Sequence, residues 1–373
     1  MIRRFLNDRR GNYAGIARTA GQLVRSRDGS MMPVVVLLII PLIAAVGLSV
    51  DYTSAVNTKD GMRNALDAGI LAITTMPTNT SKGDREAMLQ QSYKANGGLG
   101  TATLNNVTID AFGSASFTAS ASYPMPTDFM SIANIKTVQI GVNSAVRKTP
   151  ALVETTFKVS KVSGHWGKTM TLYGTKFGAT TAKPMMTIEY AYNGFGDPKG
   201  YGTTIVKKIT NAGGADIITT VQKQECKTAT VKNFNNLPAG AITQTSGSTK
   251  YLTTCTNTMY PANSDGAIID VSQINELYLE MNVPSGNPKI LKSNDPLTSN
   301  RLYIGPSATD MPEVATGNKV DIFTSVPCGQ TGYQAWEDGG NPVPAPVANA
   351  DFFYSVQGKC DYNQRPSETV LTQ

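Results

Sequence analysis

Met31–Val50 reads MMPVVVLLIIPLIAAVGLSV, twenty residues without a charge and mostly aliphatic. As an α-helix the run is about 30 Å long, the thickness of a bilayer's hydrocarbon core. Pro33 falls in the first turn, where a missing N–H costs little. Pro41 falls mid-run and predicts a kink that membrane helices tolerate. Charge meets hydrocarbon just before it, at RSRDGS (Arg25–Ser30). Residues 1–30 hold seven arginines against two aspartates, an excess that keeps an N-terminus in the cytoplasm and sends the downstream chain across the membrane. A cleaved secretory signal has a short basic region and an apolar core of about 7–15 residues. Here these are thirty and twenty residues. The run therefore reads as an uncleaved anchor in the lipid bilayer, marked by Met31, Pro33, Pro41, Gly47 and Val50.

The helix is predicted to continue past the bilayer. Ala55, Lys59, Met62, Leu66, Ile70 and Ile73 recur at spacings of four and three, with Ala65 and Gly69 alongside. Asn57, Asp60, Arg63, Asn64 and Asp67 fall mostly elsewhere. Met76-Pro77 ends the pattern. A second helix is expected within Thr80–Gly98, with Asp84 near its start and Gly97-Gly98 at its end. Alternating strands come next at Asn106–Phe112, Ala115–Pro124 and Lys136–Val146, with TDFMSIANI as a turn or short helix before the last. Val107, Ile109 and Ala111 are expected to share one face, as are Phe117, Ala119 and Ala121, and Val138, Ile140 and Val142.

GLSVDYTSAVNTKDGMRNALDAGILA (Gly47–Ala72) resembles the N-terminal region of Tad (tight adherence) pilus-assembly proteins of the TadE/TadG-like class. Gly29 stands at the glycine of the family's D-x-x-G-[NS] lip, a pattern that Phe5–Ala17 matches better than the stretch around Gly29. Gly47, Leu48, Val50 and Asp51 match the end of its span. Asn64, Ala65, Asp67, Ala68, Leu71 and Ala72 match its helix, and Tyr123–Val146 resembles the end of its module. The lip occurs twice, at Phe5–Ala17 and at Leu23–Val35, and only the second adjoins the span. The resemblance covers roughly residues 1–148. It implies a bacterial inner-membrane protein with one span, a cytoplasmic N-terminus and a large periplasmic region, working with other Tad pilus-assembly or secretion components. Two departures from the family bear on its role. Prepilin-peptidase substrates carry a glycine at the cut and a glutamate five residues on. After Gly29 that place is Val34, and after Gly11 it is Ile16. This argues against processing into a major pilin. Many TadG-like chains continue into a von Willebrand factor A domain with a D-x-S-x-S metal site. Aligning VSGHW on it puts Lys161 at the aspartate and His165 at the second serine, so no metal site of that kind is expected.

Residues 150–373 read as short strands and turns, including Lys168–Gly174, Met185–Gly194, Gly202–Thr210 and Glu276–Pro284, with a Gly/Pro-rich tip at Asn193–Gly202. Asp338–Phe352 reads as an extended connection. FFYSVQGKC is expected to return as a last strand pinned by Cys360, with a frayed polar tail after Asp361. The expected architecture is α+β. Residues 1–30 form a basic cytoplasmic segment and 31–50 a transmembrane helix that extends into a pilin-like module at 51–148. A β-rich, sandwich-like domain occupies 149–373.

The four cysteines, Cys226, Cys255, Cys328 and Cys360, all lie late in the chain. An even count beyond a span predicts disulfides in an oxidising compartment. Nearest-neighbour pairing is one of three possible connectivities. Zinc is disfavoured, because the cysteines are far apart and His165 is the single histidine. The net charge of +6 is almost entirely N-terminal, so the large domain lacks the basic face nucleic acid requires. No nucleophile motif accompanies His165. Gly97–Gly100 lacks the lysine of a phosphate loop. Asn263–Asp270 and Trp336–Asn341 hold carboxylates near glycines and read as solvated turns rather than calcium loops. The expectation is a non-enzymatic protein without cofactor, metal or small-molecule substrate. Its role is structural in pilus assembly or secretion; the alternative is a membrane-anchored adhesin that binds through its β domain.

Overall fold

The apolar run and the amphipathic segment behind it form one helix, α1 (Met32–Ile73), which continues through Pro41. The computed structural model describes residues 32–212 and 214–372. Gly29 and Met31, with the basic segment at 1–30, lie outside them. Along α1 the environment changes as the side chains do. Leu37, Leu38, Leu42, Ile43 and Val46 are exposed, Leu37 by 73%. Met62, Ala65, Leu66, Ile70 and Ile73 are buried. Asn57, Asp60, Arg63 and Asn64 face outward. α1 is long and apolar enough to cross a membrane. Where its first half would meet lipid, the hydroxyls turn back on the helix: Ser49 Oγ donates to the Ala45 carbonyl (2.9 Å) and Thr53 Oγ1 to that of Ser49 (2.8 Å). Such back-bonding hides a hydroxyl from hydrocarbon.

The second helix, α2 (Lys82–Ala95), is capped by Ser81 rather than Asp84. Ser81 Oγ accepts from Asp84 N (3.1 Å) and donates to Asp84 Oδ2 (2.7 Å). A hydroxyl one residue before the first turn reaches an unpaired N–H that a side chain already inside the helix cannot. The other end closes at Gly97, φ 81°, with Gly98 N bonded to Tyr93 O (2.9 Å) and Gly97 N to Lys94 O (3.0 Å). This is the left-handed glycine termination expected of a Gly-Gly pair.

The described chain divides into two compact units. The first holds the described residues up to Gly69, with Glu86–Thr103 and Ala119–Ser144. The second holds Ile70–Arg85, Leu104–Thr118 and the described residues from Ala145 onward. Strands β1 (Thr101–Ile109), β2 (Ala115–Pro126), β3 (Thr137–Lys148) and β17 (Thr369–Leu371) make one sheet, in the order β1-β2-β3-β17. In β2 and β3 the expected faces are inward: Phe117, Ala119, Ala121, Ile140 and Val142 are all buried. In β1 the expectation is overturned. The strand starts five residues earlier, buries Ala102 and Leu104, and leaves Ile109 exposed. Asp110 Oδ1 accepts from Phe112 N and Ser114 N, both at 2.9 Å, and this turn places Ala111 and Phe112 outside the strand. The tail is not frayed, because β17 pairs antiparallel with β3, Thr369 opposite Lys148.

Two further sheets belong to the second unit. One has five strands, β11 (Ala267–Asp270), β4 (Ala151–Val162), β16 (Phe352–Asp361), β15 (Thr331–Trp336) and β14 (Leu302–Gly305), in that order. The other has eight, in the order β13-β12-β5-β6-β7-β8-β10-β9. These are Ile290–Lys292, Ile274–Asn282, Lys168–Lys176, Lys183–Tyr192, Gly202–Ala212, Ala215–Val231, Thr249–Met259 and Ile242–Ser246. Alternating apolar residues of both sheets meet in one core, as in a sandwich. Register aligns them into rows. Met281, Met170, Ile188 and Val206 lie opposite one another across β12, β5, β6 and β7. Leu302, Trp336, Phe352 and Val162 do the same across β14, β15, β16 and β4.

Candidate functional site: a helix clasp and a buried charge cluster

In the first unit, α1 is held where its lipid-like half ends. Gly47 and Asp51, one helical turn apart, share a face. An added Cβ on Gly47 would lie 2.7 Å from Phe129 side-chain atoms, so glycine is what lets the Phe129 ring lie on the helix. Asp51 is buried. Its Oδ2 accepts from Met130 N (2.6 Å) and Phe129 N (3.1 Å), and its Oδ1 from Asp128 N (3.1 Å). Those amides open the 3-10 turn Met130–Ala133. A carboxylate suits them, because they are unpaired within the turn and carry its positive dipole end. Ile43, Ala44, Leu48, Phe129, Met130 and Ile132 line an apolar cleft beside this clasp. Ile132 is 84% exposed.

The other motif residues separate by environment. Leu48, Val50 and Pro41 are exposed on the apolar half of α1. Asn64 is exposed, Ala65 buried and Ala68 half-buried. Asp67 Oδ1 accepts from Ser144 Oγ of β3 at 2.5 Å. Gly69 lets α2 approach, since a Cβ there would meet Leu89 Cδ1 at 3.0 Å and Leu89 O at 3.2 Å.

In the second unit, the C-terminus of α1 ends on two cations. Arg85 Nη1 donates to Ile73 O (2.8 Å) and Nη2 to Pro77 O (2.6 Å), while Lys148 Nζ donates to Thr74 O (2.8 Å). Both cations are buried, Arg85 beside the rings of Phe117 and Tyr362 and Lys148 beside that of Tyr362. Burial, then the charge of Arg85, lowers the Lys148 pKa to about 8.

The cysteines pair as Cys226–Cys255 and Cys328–Cys360. The first joins directly opposed residues of β8 and β10. The second ties the approach to β15 onto β16. His165 Nε2 lies 3.0 Å from Asp197 O, and its ring meets Tyr192 edge-on at 5.2 Å. Asp265 is exposed in the turn before β11, but the second half of Asn263–Asp270 is that strand rather than a turn, with Ala267 and Ile269 buried and Asp270 exposed at its end.

Trp336–Asn341 is different, and here the sequence expectation fails. Glu337 and Asp338 are buried, not solvated, and Asp351 is buried beside them. One carboxylate oxygen from each lies within 4.8 Å of the others. Glu337 is fully engaged. It is paired with Arg301 and accepts from Gly339 N and Asn341 N, both at 2.8 Å, which folds the turn around its carboxylate. Asp338 Oδ2 lies 2.5 Å from Lys168 Nζ, and Asp351 Oδ2 lies 3.8 Å from it. Two protein cations, the Arg301 guanidinium and the Lys168 ammonium, thus stand among the three carboxylates. Burial, reinforced by the neighbouring Asp338, holds the Asp351 carboxyl well above the ordinary range; the Lys168 charge opposes this. The sequence does carry a signal for the cluster. Lys168 shares parity with Met170 and Leu172, so alternation alone puts a cation on the inward face of a strand.

Clasp, apolar half-helix and α+β unit together define a chain with one N-terminal apolar helix among its described residues and a large β-rich region behind it. A family model described as putative Flp pilus-assembly TadE/G-like matches residues 29–72, which include nearly all of α1. The match supports a pilus-assembly role in general, among pilus-assembly components in general. No curated protein and no solved structure matches the chain.

Proposed function

We propose that this protein is a retained, pilin-like component of a Tad/Flp-type pilus-assembly or related secretion apparatus. It acts structurally and not as an enzyme. It sits in the bacterial inner membrane through the first half of α1, with the N-terminus cytoplasmic and the sandwich periplasmic. The observation that carries this reading is a coincidence along α1. The family match covers the helix whose exposed aliphatic half passes into the buried core of an α+β unit. The arginine-rich N-terminal segment supports the orientation. The paired cysteines support an oxidising compartment. Glutamate is missing at the fifth position after either candidate cleavage glycine, which supports retention rather than polymerisation.

The test is deletion of the gene in its own host, with complementation by the intact chain and by Leu42→Lys. Loss of surface filaments on deletion, restored by the intact chain and not by the charged variant, is the expected result. A deletion strain that pili in normal numbers refutes the reading. If the mature protein extracted from membranes begins at Ser30, retention without processing is refuted.

A further inference from the structure

The second unit contains an amine and a carboxyl group, buried together, with a second carboxyl against them. Lys168 opens β5 in the eight-stranded sheet. Asp338 comes just after β15, and Asp351 precedes β16, both in the five-stranded sheet. The side chains of Lys168, Asp338 and Asp351 are 0%, 5% and 12% exposed. Lys168 Nζ donates to Ser163 O (2.9 Å) as well as to Asp338 Oδ2 (2.5 Å). The Tyr190 ring lies 5.6 Å from it. Gly164, φ 110°, closes the pocket from one side. A Cβ there would come within 2.6 Å of Lys168 Nζ and 3.1 Å of Asp338 Oδ2, so the backbone itself packs onto the pair. Asp351 Oδ1 lies 3.5 Å from Ser163 Oγ.

We infer that Lys168 and Asp338 are joined by an intramolecular isopeptide bond, formed by the folded chain itself with Asp351 as proton carrier. The reacting form is the free amine beside the neutral acid, reached by transfer of one proton from Nζ to Asp338 Oδ2. The Nζ lone pair then attacks Asp338 Cγ. Asp351, whose proton affinity burial raises, donates to the carboxyl oxygen as the tetrahedral adduct forms. It takes the proton from Nζ, gives one to the departing hydroxyl, and takes one back from the hydroxyl that remains as that oxygen becomes the amide carbonyl. One C–N bond forms, one C–O bond breaks, one water leaves, no group is oxidised or reduced, and Asp351 ends as it began. Holding the two reacting groups in contact supplies the positional part of the barrier. The product staples the two sheets of the sandwich.

The test is the mass of the full chain, purified in detergent, then reduced and denatured. A chain lighter than its sequence by one water is expected. A tryptic digest should then contain a branched peptide joining the segment around Lys168, uncut at that lysine, to the segment bearing Asp338. The unmodified mass, from protein whose circular dichroism shows the folded β-sheet, overturns the inference. A water lost within the Asp338 peptide alone also overturns it, since that is ring closure at Asp338-Gly339. Lys168→Arg keeps the charge and should restore the full mass. Asp351→Asn keeps the shape and should leave most of the folded chain unlinked. Linkage as complete as in the parent would overturn the role of Asp351.

Discussion

Replacing Arg85 by methionine should destabilise the second unit through the end of α1. Arg85 is 4% exposed and its guanidinium donates to two carbonyls, Ile73 O at 2.8 Å and Pro77 O at 2.6 Å. Hydrogen bonds from a charged donor contribute about 1.5–3 kcal/mol each, so the two stand for roughly 3–6 kcal/mol. Methionine leaves both carbonyls short of a donor, but it also removes a buried cation, and that recovers part of the desolvation cost. A net loss of about 2–3 kcal/mol is expected, or roughly 4–12 °C in Tm. The assay is thermal unfolding of the full chain in detergent, monitored by circular dichroism. A second arm uses pH. Lys148 has its pKa lowered to about 8, so between pH 8 and its unfolded value of about 10.4 the unfolded chain binds more protons. Stability therefore rises with pH across that window, by on the order of 1–2 kcal/mol once solvent screening is allowed for. Arg85→Met removes one cause of the lowered value and should narrow the window from below. Lys148→Met should remove this contribution. If Arg85→Met unfolds with the parent and keeps the parent's alkaline gain, the cationic termination of α1 is not what stabilises this region.

Local geometry gives two further outcomes. Removing either disulfide as a Cys→Ser pair should cost up to about 3–4 kcal/mol by loop-closure entropy, given sequence separations of 29 and 32. Denaturant unfolding measures it, and nine other register pairs between β8 and β10 should keep the first variant's sheet signal. Gly47→Val should force Phe129 off α1, because even a Cβ lies 2.7 Å from its ring. Hydrogen exchange at the amides of Asp128, Phe129 and Met130 should rise as their bonds to Asp51 open, while exchange in the sandwich stays unchanged.

Periodicity decides which parts of the fold are legible in the sequence. α1 can be read end to end, because its lipid-like half is uninterrupted and its second half repeats at helical spacing. The inward residues of β2, β3, β5 and β16 can be read by alternation. β1 cannot, because its buried pair is Ala102 and Leu104 and the stronger apolar residues, Val107 and Ile109, lie beyond the covered part of the sheet. β17 is hidden for a related reason. A three-residue strand at a sheet edge has too few alternations to carry a period, and its existence depends on the backbone of β3. Ser81 is a weaker signal than the charged Asp84, although the two act together.

The carboxylate half of the charged cluster is illegible for a deeper reason. Glu337 and Asp338 stand beside two glycines and an asparagine, the composition of a solvated turn. Their burial is set by residues far away in sequence: Arg301 is 36 positions from Glu337, and Lys168 is 170 from Asp338. Local composition reports how a segment would behave in water, not which cations the topology carries to it. The lysine is the legible half of the cluster. A cation on the inward parity of a β-strand must either reach solvent along its stem or find an anion. Lys168, between the two sheets and fully covered, does the second. An inward-parity lysine in a sandwich strand is therefore reason to seek its carboxylate before reading any acidic turn elsewhere in the chain as solvated.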